Sequence, residues 1–272
     1  MLADVAATLR RLRDDEGDTR ALGMVRVGFG LLLLNEAWLA TQELRGQGFF
    51  GDHFHQPYLP EALVPSAGVY TLLLVAQWLA ALLVVAGRRA RPALLVSAAL
   101  LVYAMLCDRL WFHHYRHTMA AFCTLLAFAP CDRHLVLGRA ADRAPGPLWA
   151  QHAMKLQVSL MYLASGGSKL LDPEWRGGQM WSRMMPGLAT VLPSSLARAL
   201  ETPLGASLMA KGAITTELGL AVLLWLPRTR RAAIAAGVLF HLTISMMTPV
   251  RLFTIEMLLV YLLFLKPEVT SG

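Results

Sequence analysis

Charge is scarce in this chain. Only 16% of its 272 residues are charged, where soluble domains carry about a quarter. Short alternating apolar–polar segments of the kind that build a membrane β-barrel are missing. Cysteine is nearly absent: Cys107, Cys123 and Cys131 are the three, and none stands in a C-x-x-C pair. That spacing excludes a zinc-finger type site, and so low a number argues against a disulfide framework. There is no repeat of fixed period and no low-complexity tract. No cleavage pattern follows the charged stretch Arg10 to Arg20, so a signal peptide is not expected.

What is abundant is apolar residue, 56% of the chain, at a mean hydropathy of +0.49. It is gathered in blocks of about 17–22 residues, the length of helix that crosses roughly 30 Å of hydrocarbon. The pattern predicts an all-α, polytopic integral membrane bundle of about eight transmembrane helices. The expected spans are 22–41, 66–86, 93–110, 114–130, 148–170, 206–226, 232–248 and 250–265. Residues 1–21 read as a cytoplasmic amphipathic segment, 22–267 as the transmembrane domain and 268–272 as a cytoplasmic tail. Segment 171–205, rich in Pro and Gly, has room for a short interfacial helix.

The net charge of +7 does not imply a nucleic-acid partner, because the arginines sit in short turns. Arg88, Arg89 and Arg91 form one such turn, Arg133, Arg139 and Arg143 another, and Arg228, Arg230 and Arg231 a third. With the N-terminus inside, every inner turn is basic. The positive-inside rule then puts both termini in the cytoplasm, which requires an even number of spans.

Polar residues within spans cost free energy, so each calls for a reason. Topology places most of them toward the outer face: Asn35 and Glu36, His53 and His55, the cluster Asp108 to His117, and Lys169. Glu217 and His241 fall near mid-depth. The set points to a pocket opening outward. Lys169 follows Ser165-Gly166-Gly167-Ser168, and small residues let a neighbouring helix come close. A lysine in such a dry place is disfavoured as a cation and is suited to act as a base. The alternative is that it snorkels to the outer headgroups. His113, His114 and His117 lie one helical turn apart in pairs, a spacing open to metal binding, but no motif is complete. Hydrogen bonding in a polar pocket is the preferred reading, and no metal ligand is assigned. Glu217 and His241 are candidates to pair across the sixth and seventh spans. Glu256 carries the same ambiguity between packing and proton handling. Met184, Met185, Met209, Met246 and Met247 read as gap fillers.

The stretch Tyr162-Leu163-Ala164-Ser165-Gly166-Gly167-Ser168-Lys169-Leu170 through Trp175 resembles that of the vitamin K-dependent gamma-glutamyl carboxylases and their bacterial relatives. Their shared region is called the HTTM domain. Supporting pieces are Trp111 to Tyr115, Glu217 followed by Arg228-Thr229-Arg230, and Phe240-His241 before the Phe253 segment. The resemblance runs from Arg26 to about Pro267. It implies a membrane enzyme in which a lysine deprotonates a reduced naphthoquinone. Oxygen then yields an epoxide and a strong base. That base removes a proton from a glutamate gamma carbon, to which carbon dioxide adds. By that resemblance Lys169 is the base, His114 assists it, and His113 stands where the vertebrate enzymes carry asparagine. Trp111, Tyr162, Trp175, Glu217 and His241 are the expected cofactor-binding set. Reduced vitamin K or menaquinol is the expected cofactor, with oxygen and carbon dioxide as co-substrates. The expected setting is a bacterial cytoplasmic membrane, and the expected partners are lipid and quinone. The chain ends just after the eighth span, without the luminal β-rich domain of the vertebrate enzymes. A small molecule or short peptide is therefore the expected acceptor. Two other readings remain: a quinone-binding oxidoreductase subunit, and a non-catalytic lipid- or cofactor-binding module.

Overall fold

The computed structural model describes residues 14–46, 56–248 and 250–265. The expected N-terminal amphipathic segment up to residue 13, His53, His55 and the expected tail lie outside the described residues. The described residues hold eleven α-helices. These are α1 (Arg20–Gly46), α2 (Ala67–Ala86), α3 (Ala90–Cys107), α4 (His114–Ala127), α5 (Trp149–Leu171), α6 (Pro173–Arg176), α7 (Gln179–Ala189), α8 (Ser194–Glu201), α9 (Pro203–Leu223), α10 (Arg230–Met247) and α11 (Arg251–Tyr261). A two-residue antiparallel pairing of β1 (Glu16–Gly17) with β2 (Gly146–Pro147) ties the start of the described chain to the segment before α5.

Each expected span coincides with a helix, but the expected count of eight crossings is not reached on length and apolarity. Among the described residues, only α1, α2, α3 and α9 are both long and apolar enough to cross a bilayer. α5 and α10, at 23 and 18 residues, have the length but carry too much polar character. α4 and α11 have 14 and 11 residues, or about 21 and 17 Å at 1.5 Å per residue. The interrupted segment holds three short helices, α6, α7 and α8, rather than one.

Helix ends follow local chemistry. Ser66 Oγ accepts the Val69 N–H at the start of α2, and Gly87 closes the same helix in the left-handed region at φ 75°. Asp108 stops α3 and accepts the N–H groups of Leu110 and Gln56. Thr202 caps α9, whose first residue is Pro203. α2 leaves Leu72, Val75, Leu79 and Leu82 exposed along one face at helical spacing. An apolar stripe of that length turned away from the protein interior is what lipid contact requires.

The described residues divide into two compact units at Met154, and Lys155–Phe264 form the second. In the first, α1 packs on α2, α2 on α3 and α3 on α4. Phe29 meets Phe122 edge to face at 5.7 Å. Gly30 admits α2, since a Cβ there would lie 2.7 Å from Val85 Cγ2. Arg26 is fully buried. Its guanidinium donates to the carbonyls of Val84 (2.6 Å) and Val85 (3.1 Å), and to those of His134 (3.1 Å) and Leu135 (2.6 Å). Val84 and Val85 belong to the last turn of α2, where the helix carbonyls present negative charge. In the second unit, Trp181, Met185 and Leu188 of α7 pack on Ala206 and Ala210 of α9.

All three cysteines are buried, and none is joined in a disulfide among the described residues. Burial pushes the Cys131 thiol up to about 12, and Asp132 adds to the effect. A maleimide reagent at pH 7–8 should leave Cys131 of the folded protein unlabelled and react with it after denaturation in SDS, as mass spectrometry would show. The thiolate is the reactive form, so labelling should rise only as pH climbs toward that value.

Candidate functional site

The resembling stretch folds as the C-terminal half of α5, and helical spacing gathers its polar residues. Tyr162, Ser165 and Lys169 follow one another at intervals of three and four, so they share one face. Gly166 lets α9 approach beside that face: a Cβ there would lie 2.9 Å from Leu218 Cγ and 3.2 Å from Glu217 Cβ. The close approach sets Glu217 against Lys169. Lys169 Nζ donates to both Glu217 carboxylate oxygens at 2.7 Å and to Ser165 Oγ at 2.6 Å. Ser165 Oγ in turn donates to Glu217 Oε1 at 2.9 Å. The side chains of Lys169 and Glu217 are 15% and 5% exposed, so the pair is held largely out of solvent. Trp175 lies under the ammonium, 5.1 Å from nitrogen to ring centre. Such a cation–π contact strengthens as water is removed.

Two turns earlier on α5, the Tyr162 hydroxyl joins His241 Nε2 at 2.7 Å. It also joins the hydroxyl of Tyr261. His241 is ringed by Phe240, Phe253 and Tyr261. Its Nδ1 meets no hydrogen-bond partner among the described residues. Gly237, one turn before His241, makes room for this network, because a Cβ there would collide with the Tyr261 hydroxyl. Gly237→Ala should therefore push Tyr261 away from Tyr162 and lower the unfolding temperature in detergent by several degrees. Tyr261→Phe in the same background should recover only part of that loss, because the Cβ would still meet the ring at 2.6 Å, as scanning calorimetry would show. Glu217 and His241, expected to pair with each other, do not: Glu217 belongs to Lys169 and His241 to Tyr162. Glu217 and His241 sit on separate helices, and the partners that claim them come from α5, which the sequence does not place between the two.

In the first unit, Trp111 ends the short turn after α3, and His113 precedes α4, which His114 begins. His113 and His114 are both exposed. His113 Nδ1 lies 3.2 Å from the Trp111 carbonyl, and the His114 ring faces Phe112 at 6.2 Å. The buried residue of this stretch is Arg116. Its Nε donates to Glu36 Oε2 at 2.7 Å, with both side chains 5% exposed. Its Nη1 donates to the Trp111 carbonyl at 3.1 Å, and the guanidinium lies over the Trp111 ring at 4.5 Å. The Glu36–Arg116 pair escaped the sequence reading. Its signal was present as two opposite charges at the outer ends of two expected spans. Among the described residues no group of three or more His, Cys, Asp or Glu is arranged to hold a metal ion.

A bundle of apolar helices with a lysine–carboxylate pair held out of solvent defines a helical membrane protein with a polar site. The HTTM domain family model matches residues 15–268, nearly the whole chain, and the chain belongs to that family. The family is linked to vitamin K-dependent carboxylase-like membrane proteins. No curated protein and no solved structure matches the chain.

Proposed function

We propose that the chain is a quinol-dependent membrane enzyme of the carboxylase-like class, with Lys169 as its base. The observation that carries this reading is the Lys169–Glu217–Ser165 cluster beside Trp175, on the stretch that resembles the carboxylases. When bound, a reduced quinone supplies electrons to oxygen and an acidic hydroxyl proton. The residues present suit such a molecule: Trp175 offers a flat aromatic face, and the cluster offers proton acceptors. With three acceptors around it, the Lys169 ammonium is no base. It becomes one when its proton passes to Glu217 along their short hydrogen bonds. The neutral amine then takes the hydroxyl proton, and Glu217 retains the one it received. Tyr162 and His241 lie on the same polar seam and orient the ring. The resemblance gives His114 and His113 an assisting role.

The reading includes eight crossings with both termini in the cytoplasm and the pocket facing outward, in a bacterial cytoplasmic membrane. Support comes from α5 and α10. Leu156, Leu160 and Leu163 leave α5 exposed at helical spacing, and Leu239, Leu242 and Met246 do so on α10. Such faces suit lipid despite the polar residues opposite. Oxygen and carbon dioxide are co-substrates, and a small molecule or short peptide is the acceptor.

A second reading is favoured by the saturation of Lys169: a fully paired lysine also serves as a brace in a non-catalytic cofactor-binding module. The two part on one measurement. Protein in lipid nanodiscs is given reduced menaquinone and oxygen, and quinone epoxide is assayed. Epoxide formed by wild type and lost in Lys169→Ala supports the enzyme. Equal epoxide from a folded Lys169→Ala, or none from wild type, removes it.

A further inference from the structure

An open groove of about 420 Å³ runs along α3 beside α4 in the first unit. Its lining includes Leu95, Ala98, Ala99, Val102 and Leu106 of α3 and Thr124 of α4. The sequence makes the depression. Ala98 and Ala99 carry only a methyl group, and larger residues stand one turn to either side of them. The polar groups of the lining are already spent: Thr124 Oγ1 donates to the Ala120 carbonyl at 2.8 Å, and the Tyr103 hydroxyl to that of Leu63 at 2.7 Å. The groove is apolar in effect, yet Leu95, Val102 and Leu106 stand exposed along it. From Leu95 to Leu106 it extends roughly 17 Å by helical rise. That is about the depth of one leaflet, half of some 30 Å of hydrocarbon. α3 is one of the four helices long and apolar enough to cross a bilayer.

One end of the groove is cationic. Arg91 precedes Leu95 by one turn and shares its face of α3. Its Nε donates to the Ala127 carbonyl at the end of α4, at 2.8 Å, which fixes the guanidinium one turn beyond Thr124. No hydrogen bond or ion pair among the described residues takes its two Nη groups. Arg88 and Arg89 stand exposed in the turn just before, and the first turn of α3 holds no acidic residue. Phe128 and Trp149, also exposed, meet at 6.2 Å at this same end of α4. Tryptophan favours the level of the lipid headgroups. An apolar groove one leaflet deep thus ends, at headgroup level, on an anchored cation with two more beside it.

We propose that this groove seats one acyl chain of an anionic phospholipid, with the phosphate on the Nη groups of Arg91. A guanidinium presents parallel donors to a phosphate, and the two bonds fix its position. The headgroup is anionic rather than zwitterionic, because a choline or ethanolamine cation would sit among Arg88 and Arg89. A helix from a second copy would cover the apolar floor but, with its backbone satisfied internally, would leave Arg91 unanswered. The inference depends on α3 crossing the bilayer and stands apart from the quinol reading, so its test does not use activity.

The test is native mass spectrometry of protein released from nanodiscs of equal parts phosphatidylcholine and phosphatidylglycerol with the same acyl chains. Wild type should retain one phosphatidylglycerol at collision energies that strip the remaining lipid. Arg91→Gln should lower the enrichment over phosphatidylcholine about fivefold, the weight of one arginine at an anionic surface. Arg91→Lys keeps the charge and should keep most of the enrichment. Ala99→Phe fills the groove from an exposed position and leaves the Arg91 anchor intact. It should unfold near the wild-type temperature and no longer retain the lipid. Arg228→Gln removes an exposed charge from a basic turn of the second unit and should change nothing. Wild type carrying the two lipids in their bulk ratio, or an equal loss in Arg228→Gln, would reduce the effect to a general attraction of basic turns and overturn the site. Retention unmoved in folded Ala99→Phe would overturn the groove as the seat of the chain. A lipid-free dimer that Ala99→Phe breaks would put a second copy on this face and overturn the lipid.

Discussion

Replacing Lys169 by arginine should abolish quinone epoxide formation while leaving the fold intact. Arginine keeps the positive charge, and its fork of donors can still satisfy the Glu217 carboxylate. It does not release a proton under any condition a protein survives. A brace would therefore tolerate the change, and a base would not. The expected loss is about 10²–10⁴-fold in turnover, the usual contribution of a positioned general base. Unfolding temperature in detergent serves as the control for folding. Glu217→Gln is the companion variant. It keeps the shape of the side chain but has no carboxylate to receive the lysine proton, so its turnover should fall toward that of Lys169→Arg. Turnover of Lys169→Arg within twofold of wild type would end the assignment of Lys169 as base.

Arg116→Met should be the most destabilising single change in the first unit. It strips the counterion from Glu36, a carboxylate held at 4% exposure. Removing one partner of a buried ion pair costs about 3–5 kcal/mol, because the other charge is left uncompensated. The variant also loses the hydrogen bond to the Trp111 carbonyl and the contact over the Trp111 ring. Replacing both partners removes that stranded charge, so the double variant Glu36→Leu/Arg116→Met should regain most of the stability. Thermal unfolding of the four proteins gives the coupling directly. A double variant no more stable than Arg116→Met would show that the pair's charge is not what the single change strands.

The positions of the long helices were legible because hydrocarbon-length apolar runs leave a strong local signal. Expected boundaries such as 66–86 and 232–248 fall within a residue or two of α2 and α10. The number of crossings was less legible. α4 and α11 are interrupted by turns at Phe128 and Leu262, and such turns depend on packing beyond the run itself. The stretch from Tyr162 to Trp175 stood out through its small residues and its lysine, which the structure gathers in one polar cluster. Its partners did not announce themselves. Glu217 stands 48 residues from Lys169, and Glu36 stands 80 from Arg116. Pairing at that separation is decided by which helices come together. Gly166 decides it for the first pair, and the sequence showed it only as one small residue among several. Arg26 was legible as a charge near the start of a span, but not as the anchor of two remote backbone segments.

Arg26 also imposes an order on assembly. Its carbonyl partners lie 58 and 59 residues onward in α2 and then 108 and 109 residues onward, past α4. As the chain emerges, the α1–α2 hairpin can satisfy only Nη1. Nη2 keeps its water until His134 and Leu135 have been made. The first unit is thus sealed late, by residues that follow its last helix pair, and a chain stopped before Leu135 leaves a half-hydrated cation between its first two helices.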